Sequence, residues 1–255
     1  MIRAVAVVVP ARNERALIGR CLAALAEASE LSRNSTPAVS IHLIVVADAC
    51  TDETAALARS VEGVEVIEIA AGAVGSARAA GAERAVAEFC GPLGEFTPDD
   101  VWIANTDADS VVPAHWIVDQ VTLADSGADL VLGTVRPDPA DLTAENARLW
   151  HEQHVPVAGL PAAHAHIYSA NLGIRASDYL RAGGFAALAE HEDVDLVTRA
   201  RQAGSALVAT DSSEVTTSGR RHGRTPGGFA RYLRVDLHAL AAGTPAPVPD
   251  AAVNR

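Results

Sequence analysis

Two aspartates separated by one residue, Asp107 and Asp109, follow directly on the apolar run 101–105. A strand ending there sets both carboxylates at one edge of a sheet. Paired hard oxygen donors suit Mg²⁺ or Mn²⁺ shared with the phosphates of a substrate, and such a metal neutralises a diphosphate and helps it leave. The plainer alternative is an Asp-rich turn, with Asp109 and Ser110 capping a helix that starts after Pro113. Two further polar clusters close apolar runs in the same way. Pro10-Ala11-Arg12-Asn13-Glu14 ends the run 5–9, and Asp48-Ala49-Cys50-Thr51-Asp52-Glu53-Thr54 ends the run 41–47. Asp48 at a strand end can accept hydrogen bonds from a base or ribose. Capping of the next helix accounts for Thr51, Asp52 and Thr54, and accounts less well for Asp48.

The elements that must position these clusters alternate. The apolar, β-branched runs at 5–9 and 41–47 read as buried strands, and 64–69 and 101–105 as a third and a fourth strand. Between them, residues 14–30, 52–60 and 76–88 carry apolar side chains at helical spacing. Strand–helix alternation predicts a parallel, doubly wound sheet, whose ligands bind at the carboxyl ends of the strands, where all three clusters fall. The second half is less regular. Helices are expected at 113–126, 142–154, 193–203 and 229–241, a strand at 130–135, and a strand-like, His-rich stretch at 162–175. The tail 243–255 is rich in Pro and Ala and is expected to be disordered.

Taken in order, these motifs resemble the inverting family 2 glycosyltransferases of the GT-A fold, in a soluble, actinobacterial-type form. The matching residues are Pro10 to Glu14; Asp48 to Thr54, with Cys50 where the family usually has Ser; Gly72, Gly75, Ala77, Arg78 and Gly81; and Asp107 with Asp109. Asn171 and Arg175, then Gly183-Gly184-Phe185, then Glu192-Asp193-Val194-Asp195-Leu196 continue the pattern. Ala79 stands where the family often has Asn, which puts one nucleotide contact in question. The resemblance implies an α/β fold with a mostly parallel, Rossmann-like central sheet flanked by helices and a smaller acceptor-side subregion. It would be a single domain over 1–242, with a nucleotide-binding half at 1–112 and an acceptor-side half at 113–242.

The resemblance also implies roles. Pro10, Arg12, Glu14 and Asp48 would frame the nucleoside, Arg78 and Asp107 would reach the nucleotide, and Asp109 would hold the metal together with Asp107. Asp193 would be the general base that takes the acceptor hydroxyl's proton, and Glu192 would orient it. Read without the family, Glu192 and Asp193 are acidic residues complementing a helix N-terminus. The run Ser218-Gly219-Arg220-Arg221-His222-Gly223-Arg224 is the one dense basic stretch of the chain. It resembles the flexible loop that closes over the diphosphate in related transferases, with Arg221 and Arg224 as phosphate contacts and His222 as a third metal ligand. A solvated basic loop is the simpler reading. His164 and His166, two apart on an expected strand, would face one side toward acceptor or diphosphate.

The implied activity is transfer of a sugar from a nucleotide-diphosphate donor to a small-molecule, lipid or glycan acceptor hydroxyl, with Mg²⁺ or Mn²⁺ and with inversion. A retaining enzyme of the glucosyl-phosphoglycerate synthase type and a non-catalytic nucleotide-sugar-binding protein are the alternatives. A nucleotidyltransferase would open with a Gly-rich loop, and the segment 10–14 contains no Gly. A net charge of −12 argues against nucleic acid as partner. The chain has no Lys, which excludes Schiff-base and P-loop mechanisms. Cys21, Cys50 and Cys90 form no CxxC pair, the opening residues enter a strand rather than a signal-peptide pattern, and no apolar run approaches the ~20 residues of a membrane span. These features predict a cytoplasmic protein, with peripheral membrane contact left open.

Overall fold

The computed structural model describes residues 1–36, 38–154, 167–225 and 227–241. Their strands are β1 (Ala4–Ala11), β2 (Ser40–Asp48), β3 (Val64–Ile69), β4 (Val101–Asn105), β5 (Ser110–Val111), β6 (Leu130–Pro137), β7 (Leu172–Arg175) and β8 (Leu207–Thr217). They form one sheet in the order β3-β2-β1-β4-β7-β6-β8-β5. The four strands read from apolar runs in the first half are mutually parallel. β7 is antiparallel to both of its neighbours, β4 and β6, while β6 and β8 are parallel and β5 closes antiparallel on β8. The result is an α/β sheet flanked by helices, as expected from the alternation.

Both faces of β1 are buried, so its residues Val5, Val7 and Val9 serve one core and Ala6 and Val8 the other. On the first face lies α1 (Ile18–Ser35), whose Ile18, Leu22 and Leu25 are fully buried with Trp102 and Trp116. Each such aliphatic side chain contributes roughly 1.5–3 kcal/mol. On the second face lies α3 (Val74–Cys90), built largely of small residues. A Cβ on Gly81 would stand 2.4 Å from Val8 Cγ1, so glycine is what lets this helix lie close on the sheet. That approach carries Arg78, one turn earlier, over the carboxyl ends of the strands.

The remaining helices are α2 (Thr54–Arg59), α4 (Trp116–Asp125), α5 (Ala144–Gln153), α6 (Ala176–Arg181) and α7 (Glu192–Gln202). The chain described ends with α8 (Phe229–Arg231) and α9 (Leu237–Ala241), joined by a π-helical turn Tyr232–Asp236. Two motif residues of the second half are staples of this architecture. Asn171 donates to the carbonyls of Thr134 (2.9 Å) and Ser213 (2.8 Å) and accepts from Trp116 Nε1 (2.8 Å), tying β6, β8 and α4 together. Arg175 reaches Asp129 and the carbonyls of Asp99, Ala124 and Ala128.

Several boundaries differ from the sequence expectation for physical reasons. The first helix begins at Ile18, not at 14, because Glu14 is drawn into the strand-end cluster while its carbonyl accepts from the amides of Leu17 and Ile18. The helix then runs on through Asn34 to Ser35, past its expected end at residue 30. α4 starts at Trp116 with His115 as its N-cap and no side-chain capping bond, so Asp109 and Ser110 do not cap it. Ser110 instead pairs with Thr217 across β5 and β8. β8 and α6 had no counterpart in the sequence reading.

Candidate active site

The carboxyl ends of β1 and β2 are laced together. The amide of Thr51 donates to Asn13 Oδ1 (2.8 Å), the amide of Glu14 to Thr54 Oγ1 (2.8 Å), and the thiol of Cys50 to the carbonyl of Ala11 (3.3 Å). Asn13 (φ 54°) and Ala49 (φ 50°) take left-handed backbone to make these turns. Such conformations cost energy and are kept where surrounding structure enforces them. Asp52 accepts from the amide of Thr54 (3.0 Å) just ahead of α2, whose N-cap is Glu53 without a side-chain capping bond rather than Thr51 or Asp52. Asp48 is buried, and its Oδ1 accepts from the amide of Gly72 (2.8 Å). Arg12 is exposed and donates to the carbonyl of the same Gly72 (3.3 Å), while Pro10 is half-buried at the end of β1. Pro10, Arg12, Glu14 and Asp48 therefore share one end of the sheet.

Beyond β4, the chain places Asp107 and Asp109 in different surroundings. Asp107 is partly exposed and accepts from Arg78 Nη2 at 2.5 Å. Asp109 is nearly enclosed, and its Oδ2 lies 2.8 Å from Arg220 Nη2. Burial, followed by the charge of Asp107, pushes its carboxyl up to about 7, against the pull of Arg220. Arg220 also chelates Glu14, with Nη1 2.8 Å from that carboxylate, and Arg224 Nε approaches the same group at 3.4 Å. Burial disfavours the charged form of Arg220, and the carboxylates of Asp109 and Glu14 outweigh it and raise its pKa.

Arg78 joins this end to the second acidic pair. Its side chain is 1% exposed, with Nε 3.1 Å from Glu192 Oε1 on one side and Asp107 on the other. Burial works against its charge, and the carboxylates around it win, raising its pKa. Nη1 of Arg78 is buried and has no hydrogen-bond partner among the described residues, a cost of a kind that an anionic ligand would remove. Glu192 and Asp193 open α7, after His191 turns the chain through φ 63°. Asp193 Oδ2 accepts from the amide of Ser169 (2.9 Å) and Oδ1 from that of Val194 (2.8 Å). Burial raises the pKa of both carboxyls, opposed at Glu192 by Arg78 and at Asp193 by the Val194 amide.

The structure thus brings Glu14, Asp107, Asp109, Arg78, Glu192 and Asp193 together. Of the basic run, the side chain that enters the site is Arg220, one residue before the expected Arg221. Arg221, His222 and Arg224 are exposed; Arg224 donates to the carbonyls of Arg12 and Asn13, and the carbonyl of Arg221 accepts from Arg234. No signal in the sequence separates Arg220 from its neighbours, because its partners are set by the path of β8 past β5. His164 and His166 lie outside the described residues, as does the tail.

Among the described residues no three His, Cys, Asp or Glu side chains form a ready metal cage. The donor set nevertheless fits a hard divalent cation. Five carboxylates (Glu14, Asp107, Asp109, Glu192, Asp193) face three guanidinium groups (Arg78, Arg220, Arg224), so acidic groups outnumber basic ones. Two of those acids are two residues apart beyond a strand end, and Mg²⁺ in general is held by one or two carboxylates plus substrate phosphates. No helix among the described residues is long and apolar enough to cross a membrane.

The family described as Glycosyl transferase family 2 matches residues 6–170. Solved structures of similar fold include Staphylococcus aureus TarS 1–349 in complex with UDP-GlcNAc (15% identity, TM-score 0.63, covering 89% of this chain and 61% of that one). The mannosyltransferase PcManGT from Pyrobaculum calidifontis, in complex with GDP-Man and Mn²⁺, gives 18% identity and a TM-score of 0.60 over 92% of this chain and 69% of that one. Mycobacterium tuberculosis glucosyl-3-phosphoglycerate synthase, with Mn²⁺, UDP-glucose and glycerol 3-phosphate, gives 18% and 0.51 over 95% and 81%. The chain therefore spans about 61% of the length of the TarS fragment. No curated protein matches it in sequence.

Proposed function

The chain belongs to glycosyl transferase family 2, and from that premise we propose that it moves a sugar from a nucleotide-diphosphate donor to an acceptor hydroxyl with inversion at the anomeric carbon. The observation that carries this reading is the continuous bridge from Asp107 through Arg78 to Glu192. One buried cation sets the spacing between a strand end suited to a diphosphate and a carboxylate pair suited to proton transfer.

In this reading Pro10, Arg12, Glu14 and Asp48 frame the nucleoside, and Asp109 and Asp107, with His222, hold Mg²⁺ or Mn²⁺. The bound metal supplies charge neutralisation to the departing diphosphate. Arg220 releases Glu14 and Asp109 and, with Arg221 and Arg224, turns to the phosphate oxygens, which the planar guanidinium fork matches. The unpartnered Nη1 of Arg78 is available to the donor. Asp193 is held from behind by two backbone amides, and its second lone pairs can accept the acceptor's proton. As the acceptor oxygen bonds to the anomeric carbon, that proton passes to Asp193. The bond from carbon to phosphate oxygen breaks, and the nucleoside diphosphate leaves with the electron pair. Burial of Asp193 raises its affinity for the proton, which suits a general base.

A thermal-shift series with UDP-, GDP- and dTDP-sugars, each in Mn²⁺, Mg²⁺ or EDTA, tests donor binding. At 100 times the dissociation constant a ligand adds about 2.7 kcal/mol, or several degrees for a chain of this size. A metal-dependent rise with one nucleotide class is expected; no rise with any of them refutes the reading. The anomeric configuration of the product, read by NMR, separates inversion from retention.

A further inference from the structure

A cavity of about 530 Å³ lies between β6, α5 and β8, within the range of small-molecule sites. None of the residues discussed above for the donor lines it. Tyr168 does, and the amide of the next residue, Ser169, donates to Asp193. The wall of the cavity therefore runs directly into the residue read as the base. Its other walls carry Trp150, Arg136, Asp211 and Glu214, and Thr134 stands in it with a buried hydroxyl that has no partner among the described residues.

The chemistry of this lining is selective. Trp150 is fixed before any ligand arrives: His154 stacks on it at 3.6 Å, and Phe229 and Tyr232 meet it edge-on at 5.8 and 6.2 Å. Burial holds His154 toward its neutral form. With the carbonyl of Trp150 accepting from Nδ1 (3.0 Å), Nε2 is left to accept from the Tyr232 hydroxyl (3.4 Å). An immobilised indole loses little entropy on binding, and its electron-rich face attracts the polarised C–H groups of a sugar ring. Asp211 and Glu214 accept hydrogen bonds from hydroxyls. Charge decides against the other acceptor class. The single guanidinium, Arg136, already lies 3.5 Å from Glu214 and donates to Thr216 (3.0 Å). A phosphate entering here would meet two carboxylates, one engaged guanidinium and the imidazole of His151.

We propose that this cavity is the acceptor site and that the acceptor is an uncharged saccharide, bound by aromatic contact with Trp150 and hydroxyl bonds to Asp211 and Glu214, and not a phosphorylated small molecule. The assignment to the acceptor rests on the transferase reading; the saccharide chemistry of the cavity stands on its own lining.

The test uses the full chain without donor. Saturation-transfer NMR and Trp fluorescence titration are run with methyl β-D-glucopyranoside, methyl α-D-mannopyranoside, methyl β-D-galactopyranoside, cellobiose, glycerol 3-phosphate and inorganic phosphate. At least one glycoside is expected to bind, about tenfold more weakly in Trp150→Ala and more weakly in Glu214→Gln, an exposed change that leaves the fold intact. The two phosphates are expected not to bind in a way that depends on either residue. Failure of every glycoside, glycoside binding indifferent to both variants, or phosphate binding lost in Trp150→Ala overturns the proposal. Donor binding is read separately in the thermal-shift series. Glycoside binding without any donor shift would remove the transferase reading and keep the saccharide site, and the reverse result would do the opposite.

Discussion

Arg220→Gln tests how the site holds its charge. The Arg220 guanidinium stands 2.8 Å from both Glu14 and Asp109, and in the proposed reading a divalent cation takes its place at Asp109. Removing one partner of a buried pair costs about 3–5 kcal/mol. Arg220 is 27% exposed and Arg224 remains 3.4 Å from Glu14, so about 2–3 kcal/mol is the reasonable loss after solvent screening. For a chain of this size that is a fall in Tm of roughly 4–12 °C, measured by calorimetry in EDTA. Saturating Mn²⁺ changes the comparison. In the natural protein the metal must displace Arg220, whereas in the variant it meets Asp109 without a guanidinium partner and Glu14 with Arg224 alone. The variant gains more, and the gap between the two proteins closes. An equal gap in EDTA and in Mn²⁺ would refute the idea that cation and guanidinium compete for one place. Arg59→Gln, which breaks an exposed surface pair with Glu68, should move stability by no more than about 1 kcal/mol in either condition.

Four further outcomes are expected. Asp193→Asn should lower kcat by about 10²- to 10⁴-fold while leaving the donor-induced thermal shift intact; loss of donor binding would place Asp193 elsewhere in the reaction. Because burial raises the Asp193 pKa, the rate should climb with pH through a limb above the ordinary carboxylate value of about 3.9, and that limb should vanish in Asp193→Asn. The same shift has the opposite sense for folding: the folded chain holds the proton more tightly than the unfolded one, so this group's contribution to stability declines as pH rises through that range, measurable by urea titration at several pH values. Gly75→Ala should destabilise by about 1–3 kcal/mol, since its Cβ would lie 2.0 Å from the carbonyl oxygen of Ala186; an unchanged Tm would mean that the loop before α7 yields freely.

What could be read from the chain divides along lines of locality. β1, β2 and β4 were visible because each is built on a short apolar run flanked by polar breaks, and β3, whose Val64, Val66, Ile67 and Ile69 are interrupted by two glutamates, and β4 fall where they were expected. β8 was not visible. Its middle, Asp211-Ser212-Ser213-Glu214, puts polar side chains toward solvent and the cavity, so neither a continuous apolar run nor a clean alternation marks it. The antiparallel setting of β7 was equally hidden, because four residues, Leu172–Arg175, carry no information about direction. In the site, Asp107, Asp109, Glu192 and Asp193 were found by type, spacing and family order. Their connection through Arg78 was not, since it depends on how closely α3 lies on β1, which Gly81 allows. Arg220 was one of several arginines in a basic run until β8 brought it beside β5.

Arg78 also has an evolutionary consequence. Its guanidinium, 1% exposed, is shared by Asp107 and Glu192, so neutralising any one of the three leaves a charge on the others poorly compensated. Single replacements should each be harmful, whereas Arg78→Met with Glu192→Gln should cost less than the sum of its parts. Such epistasis means that neutral drift at these positions requires paired changes. Lineages descending from this chain should keep the three together or exchange more than one of them at once, while an exposed surface cation such as Arg59 is left to vary alone.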